Sequence, residues 1–283
     1  MNTYPSNKKI SARFLVVYFL LAFVLTWVLS IIASKDILPI NVPIGLRNIS
    51  GILLHYGPAV AAIVLVGITG GGQALRDFLR RLGIWRVGVG WYLFIFIFPL
   101  LVRLAAVAID VWLGGQLPEF MSPDGMPAGI NPILLIPVVF LIVFFQAGLA
   151  EEIGWRGYAL PGLQQRYGAL TSSIILGIIW WLWHFHPLNY TFLQSTTFWF
   201  LFNILAFTIL LTWVYNNTNG SILLVALFHT ASNVCDWIVP TNMAVTQVTS
   251  IRPSIIQGIL TWILAIVIII LFGAKQLSKK QPA

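Results

Sequence analysis

Eight apolar stretches, each about 20 residues long and poor in charge, decide what this chain can become. They fall at roughly 12–33, 51–70, 90–113, 132–155, 169–186, 197–215, 220–239 and 254–273. About 20 apolar residues is the length of an α-helix crossing the roughly 30 Å hydrocarbon core of a bilayer. The stretches therefore predict an all-α, polytopic transmembrane helical bundle of about eight spans, a single membrane-embedded domain over 1–283. Only 8% of the residues are charged, against about 25% in an ordinary soluble domain. The first stretch follows Lys8, Lys9 and Arg13 and could mimic a signal peptide. Its apolar core is too long for one and no small-residue cleavage signature follows, so it reads as a retained helix.

The basic residues set the orientation. With the N-terminus inside, the inner segments hold Lys8, Lys9, Arg13, Arg76, Arg80, Arg81, Arg86, Arg156, Arg166, Lys275, Lys279 and Lys280. The outer loops hold Lys35, Arg47 and Arg252, and Arg103 falls inside a span. Such an asymmetry places both termini in the cytoplasm. The net charge of +8 then belongs to loops facing an anionic inner leaflet, and nucleic acid is not an expected partner. The single cysteine, Cys235, excludes an internal disulfide framework. Between the second and third spans, Leu75, Phe78, Leu79 and Leu82 alternate with Arg76, Arg80 and Arg81, the pattern of an interfacial amphipathic helix. The loop 115–131, with Glu119 and Asp124, reads as a connector, and Asp110 as a solvated residue near a span end.

Chemistry is concentrated where polar groups interrupt apolar helices. Glu151, Glu152 and Arg156 follow the apolar run 132–145 directly. Ionisable groups at membrane depth cost roughly 2.5–3.5 kcal/mol each on insertion scales and are rare without a function. On a helix Glu152 and Arg156 lie four apart with the acid first, the favourable order for a pair, while Glu151 points about 100° away. One carboxylate thus has a built-in partner, and the other is free to act as a general base. A helix end bathed in interfacial water would also suit these three charges.

Downstream, His184 ends the fifth span, and His229 and Asn233 share one helical face inside the seventh, with Asp236 continuing the stripe. Each taken singly could be a hydrogen-bonding tie between helices, worth about 0.6–2 kcal/mol. His186 lies beyond the helix end signalled by Pro187, His55 sits in His55-Tyr56-Gly57-Pro58, and Arg103 either pairs within the bundle or reaches toward a headgroup.

Taken together, Glu151-Glu152-x-x-x-Arg156, Trp180-x-x-x-His184 and His229-x-x-x-Asn233 resemble the motif set of the CPBP family, the CAAX-protease and bacteriocin-processing (Abi) intramembrane endopeptidases. The likeness covers about residues 50–240, including the Tyr56-Gly57-Pro58 stretch. It implies a protease core over that range, with Glu151 as the water-activating base and His184 helping to hold the water. It also implies Glu152 and Arg156 as a supporting pair, and His229 with Asn233 as the oxyanion-stabilising pair. The family often has Phe where this chain has Trp180, and both are aromatic. Eukaryotic members cut prenylated C-terminal peptides.

The resemblance implies peptide hydrolysis in a multi-pass plasma membrane, of bacterial type, in peptide maturation or bacteriocin self-immunity. The partners are a peptide or protein substrate and the lipid bilayer, the oligomeric state is open, and no metal or other cofactor is expected. Three rivals stay open. One is a zinc-dependent protease using Glu151, Glu152, His184 and His229, although these spacings match no standard zinc signature. Another is a proton or ion transporter, and the third a non-catalytic immunity protein. His-Glu-x-x-His, Gly-x-Ser-x-Gly and Gly-x-Gly-Asp sequences are absent. For Glu151 to meet His184, the fourth span must continue past Arg156, with Pro161-Gly162 as its break. The polar groups are then expected to converge in the inner half of the bilayer, in a cavity open to the cytoplasm.

Overall fold

The computed structural model describes residues 10–34, 37, 42–121, 131–241 and 250–279, and all side chains among them except those of 189–196. Lys8, Lys9, Lys35, Asp124 and Lys280, all used in the charge and loop readings, lie outside the described residues. Every regular element among the described residues is helical. In chain order they are α1 (Ala12–Ala33), α2 (Ile44–Leu53), α3 (Gly57–Arg80), α4 (Val89–Trp112), α5 (Pro132–Val143), α6 (Ala150–Gly154), α7 (Leu160–Gln164), α8 (Ala169–Trp183), α9 (Tyr190–Asn217), α10 (Ile222–Ile238) and α11 (Arg252–Phe272).

All eight apolar stretches are found as helical segments. Six are long and apolar enough to cross a membrane: Ala12–Ala33, Ile44–Gly83, Val89–Trp112, Pro132–Gln164, Thr197–Asn217 and Arg252–Phe272. The other two, Ala169–Trp183 and Ile222–Ile238, are shorter. At 1.5 Å per residue they reach about 22 and 26 Å, less than a hydrocarbon core. These short helices carry His184, His229 and Asn233.

Local chemistry starts and stops the helices as expected. The Ser11 and Ser221 hydroxyls accept from the amides of Phe14 and Leu224, and Asn131 caps α5 by accepting from Ile133. Each satisfies a donor the helix itself cannot. Gly273, at φ 76°, ends α11 in the left-handed region open to glycine. The fourth span does not break at Pro161-Gly162. It runs to Gln164, because Pro161 sits in the first turn of α7, where its missing N–H costs least.

Successive apolar segments alternate in direction, so the bundle has two distinct ends. At one, Ile10 N–H donates to Gln165, Arg166 donates to the Ile10 carbonyl, and the amides of Ala169 and Leu170 donate to Lys275 and Ala274. Asn216 and Asn217 donate to the carbonyls of Gln276 and Leu277 there. This basic end gathers Arg13, Arg76, Arg80, Arg86, Arg166, Lys275 and Lys279. The remote end is tied by the Asp110–Arg252 ion pair between α4 and α11, and by Met121 N–H to the Ile238 carbonyl. Asp110 is thus buried and paired rather than solvated. Arg81 also departs from expectation. It is buried, donating to the Tyr215 hydroxyl and the Gly157 carbonyl, and so anchors the α3 end rather than facing headgroups.

Close backbone approach holds the second and fourth segments together. A Cβ at Gly154 would overlap the Pro58 carbonyl and the Tyr18 hydroxyl, and one at Gly57 would overlap Thr26 and Ala22 of α1. Small residues are what let membrane helices pack through dispersion contacts. Gly154→Ala is expected to cost about 1–3 kcal/mol, as overpacking does, seen as a lower thermal-unfolding midpoint in detergent. An unchanged midpoint would contradict this packing.

Candidate active site

The acidic pair sits on a helix whose winding changes around it. The segment beginning at Pro132 widens to a π turn over Phe144–Leu149, returns to α for Ala150–Gly154, and widens again over Trp155–Ala159. Single π turns inside α-helices recur at functional sites because each rotates the faces that follow it. Between them Glu151 and Glu152 are both buried, 4% and 0% exposed. Gly148, just before the pair, has no room for a Cβ against Thr230 and the Ala226 carbonyl. That contact brings α10 close enough for His229 to reach the acids.

Glu152 is the electrostatic anchor. Its Oε1 accepts from Arg156 Nη1 at 2.7 Å and from His229 Nδ1 at 2.8 Å. Arg156 is fully buried, its guanidinium carbon 4.3 Å from the centroid of the Trp180 ring. A buried charge is tolerable only when paired and hydrogen-bonded, and here the pairing spans two helices.

Glu151 is not without a partner, contrary to the sequence expectation. Its Oε2 accepts from Trp180 Nε1 at 2.7 Å, a bond that a phenylalanine could not make. Trp180 also stands 5.3 Å from His229 and 5.6 Å from His184, ring to ring. It therefore touches Glu151, Arg156 and both histidines. Sequence reasoning treated it as one aromatic replacing another. The available signal was that an indole carries an N–H donor that a phenylalanine lacks, and a buried one usually finds an acceptor.

The two histidines are oriented by their Nδ1 atoms. His184 Nδ1 lies 2.7 Å from the Trp180 carbonyl, which can only accept, so Nδ1 carries the hydrogen, and in the neutral ring Nε2 keeps its lone pair. His229 Nδ1 donates to Glu152, leaving its Nε2 as the second ring position. Asn233 lies one turn further along α10 and is exposed. Glu151, His184, His229 and Asn233 line one cavity of about 310 Å³, between aromatic walls that include Phe98, Phe200, Phe207 and Phe228. Glu152 and Arg156 stand behind the wall. Among the described residues, no three His, Cys, Asp or Glu side chains are grouped as a metal ion would need.

The depth of this chamber differs from the sequence expectation. About 20 Å of helix separates Glu151 from Gln164 at the basic end, and His184 closes the far end of α8. The cavity continues past Asn203, Ser254 and Gln257, on helix turns near the remote end. It is therefore displaced away from the basic end rather than toward it. Two further polar residues are accounted for. Arg103 is buried and ion-paired to Asp236 at 2.8 Å on the cavity rim, and His186 is tied to Ser30 at 3.0 Å.

Residues 133–235 match the family described as type II CAAX prenyl endopeptidase, Rce1-like. A CAAX prenyl protease 2 from Methanococcus maripaludis is 30% identical over 234 residues, 79% of this chain and 81% of that protein. The chain belongs to the CAAX protease family. It is a multi-pass membrane endopeptidase, and a peptide is its substrate. All seven residues named in the three motifs lie in the stretch matched by the Rce1-like description, whereas His55 and Arg103 lie outside it.

For this CAAX protease family member the Trp180 contacts separate into two kinds. Trp180→Phe keeps the ring and loses the bond to Glu151, a type worth about 1.5–3 kcal/mol. A tenfold or larger fall in kcat with a modestly lowered unfolding midpoint is expected. Trp180→Ala also uncovers Arg156, and should lower the midpoint by the equivalent of about 3–5 kcal/mol. Equal unfolding midpoints for the two variants would show that the ring contributes no packing.

Proposed function

We propose that this endopeptidase hydrolyses its peptide with a water activated by Glu151 and forms no covalent acyl-enzyme. The observation that carries the reading is one cavity wall shared by a carboxylate, two imidazoles and an amide. Bulk water, with a pKa near 15.7, is a poor nucleophile, so a base and an oxyanion site are both needed.

In this reading a water is held between Glu151 and the lone pair of His184 Nε2. Its oxygen attacks the scissile carbonyl carbon while one proton passes to Glu151. The carbonyl oxygen becomes an oxyanion, stabilised by the Asn233 amide and by the His229 ring. The C–N bond then breaks, and the proton on Glu151 passes to the leaving amine. General-base help is worth about 10²–10⁴-fold, and one oxyanion donor about 10²–10³-fold. Glu152 and Arg156 hold His229 and the helix in place without touching substrate.

The substrate reading follows the relatives. The Methanococcus maripaludis protein is named for CAAX prenyl substrates, and the aromatic cavity walls suit an apolar peptide segment. The role is peptide maturation or bacteriocin self-immunity in a bacterial plasma membrane. The chain crosses that membrane eight times with the basic end in the cytoplasm. The chamber then lies in the outer half of the bilayer.

Two measurements test these statements. Against a peptide library that includes prenylated CAAX peptides, Glu151→Gln should lower kcat at least 10²-fold and Asn233→Ala about 10²–10³-fold, with helical content retained. Stoichiometric zinc together with loss of activity in chelator would instead establish the metalloprotease mechanism. In a Cys235→Ser background, Ser254→Cys should react with an impermeant maleimide in right-side-out vesicles and not in sealed inverted ones. The opposite result reverses the orientation.

A further inference from the structure

Glu151 has two cavities against it. Besides the chamber described above, a second space of about 290 Å³ adjoins the same carboxylate. Glu151, His184 and His55 stand in the walls of both. The rest of the second wall comes from Gly51 and Leu54 on α2 and its end, from Trp183 at the end of α8, and from the turn that follows it. That turn is pinned to α1, since Ser30 Oγ bonds His186 Nδ1 and accepts from Leu188 N–H.

The two spaces differ in chemistry. The first is walled by phenylalanines and, at about 310 Å³, is at the small end of ligand pockets. A peptide seated there leaves little room for a nucleophile. The second sets Glu151 and three imidazoles, His55, His184 and His186, beside Gly51, Leu54, Trp183 and Leu188, and holds room for several waters, each taking about 30 Å³ in the liquid. Between them stands His55. Its Nδ1 is buried, and no group among the described residues bonds it. That atom is sealed from water, so it is the rest of the His55 ring that lines both spaces.

We propose that the second cavity supplies water to the proteolytic centre while peptide fills the first, and that His55 is a positioning residue holding the incoming water beside Glu151. This rests on Glu151 being the base. Hydrolysis consumes one water per peptide bond, and a separate entrance lets that water reach the carboxylate behind a seated peptide. His55 forms no bond to substrate in this scheme. It acts through the water.

The test uses the full chain in detergent with the library peptide that the wild type cleaves fastest. Gly51→Phe fills the second cavity, and a Cβ at Gly51 meets only Ala33 Cβ at 3.9 Å. Gly51→Phe and His55→Ala should each lower kcat tenfold or more with KM within twofold and an unchanged unfolding midpoint. His55→Asn should recover part of the loss, because its amide still bonds water. Wild-type kcat in His55→Ala, or a raised KM with intact kcat in Gly51→Phe, overturns the proposal, the latter making the space a peptide subsite. If Gly51→Phe fails to fold, the two His55 variants decide. An active Glu151→Gln sinks the base reading as well, whereas an inactive Glu151→Gln beside fully active His55→Ala sinks the water path alone.

Discussion

A fully buried carboxylate, Glu152, holds two cationic or polarisable partners from different parts of the chain, and the site depends on that arrangement. Its Oε1 receives Arg156 from the next turn and His229 from α10. Removing one member of such a group leaves an unpaired charge in an apolar interior, which costs about 3–5 kcal/mol. The fourth segment and α10 are thereby locked in register. Arg156 extends the lock to α8 by lying over Trp180. Three helices that carry chemistry are fixed by one neutralised cluster.

The neighbouring acid is released by the same cluster. Because Glu152 absorbs Arg156 and His229, Glu151 meets a neutral donor, the Trp180 indole, and open cavity space. Adjacent residues thus meet different surroundings, one bonded inside the cluster and the other lining the cavity. The packing that permits this is made by glycine. Gly148 admits α10, and Gly154 admits the backbone at Pro58, both without space for a Cβ. The short α8 and α10 place their functional side chains inside the bundle, beside the aromatic walls of the chamber.

Much of this was legible without coordinates. Each apolar run became a helical segment, since backbone groups in lipid have no other partner than their own helix. The Glu152–Arg156 pair followed from four-residue spacing, and His229 with Asn233 from a shared helical face. Asp110 and Arg81 were misread as exposed because their partners, Arg252 and Tyr215, are more than a hundred residues distant. Trp180 was undervalued for a related reason. Its class was visible, but the acceptor of its N–H lies on another helix.

Sequence alone therefore determined which segments are helical, which side chains are too costly to leave idle in lipid, and which neighbours pair along one helix. These are consequences of local spacing and of the solvent. The tertiary structure decided that His229 joins Glu152 and Trp180 meets Glu151, how far the chamber sits from the basic end, and that a second cavity with His55 backs the first. Those depend on helix offsets and crossings set by close contacts at single glycines, and no local periodicity encodes them.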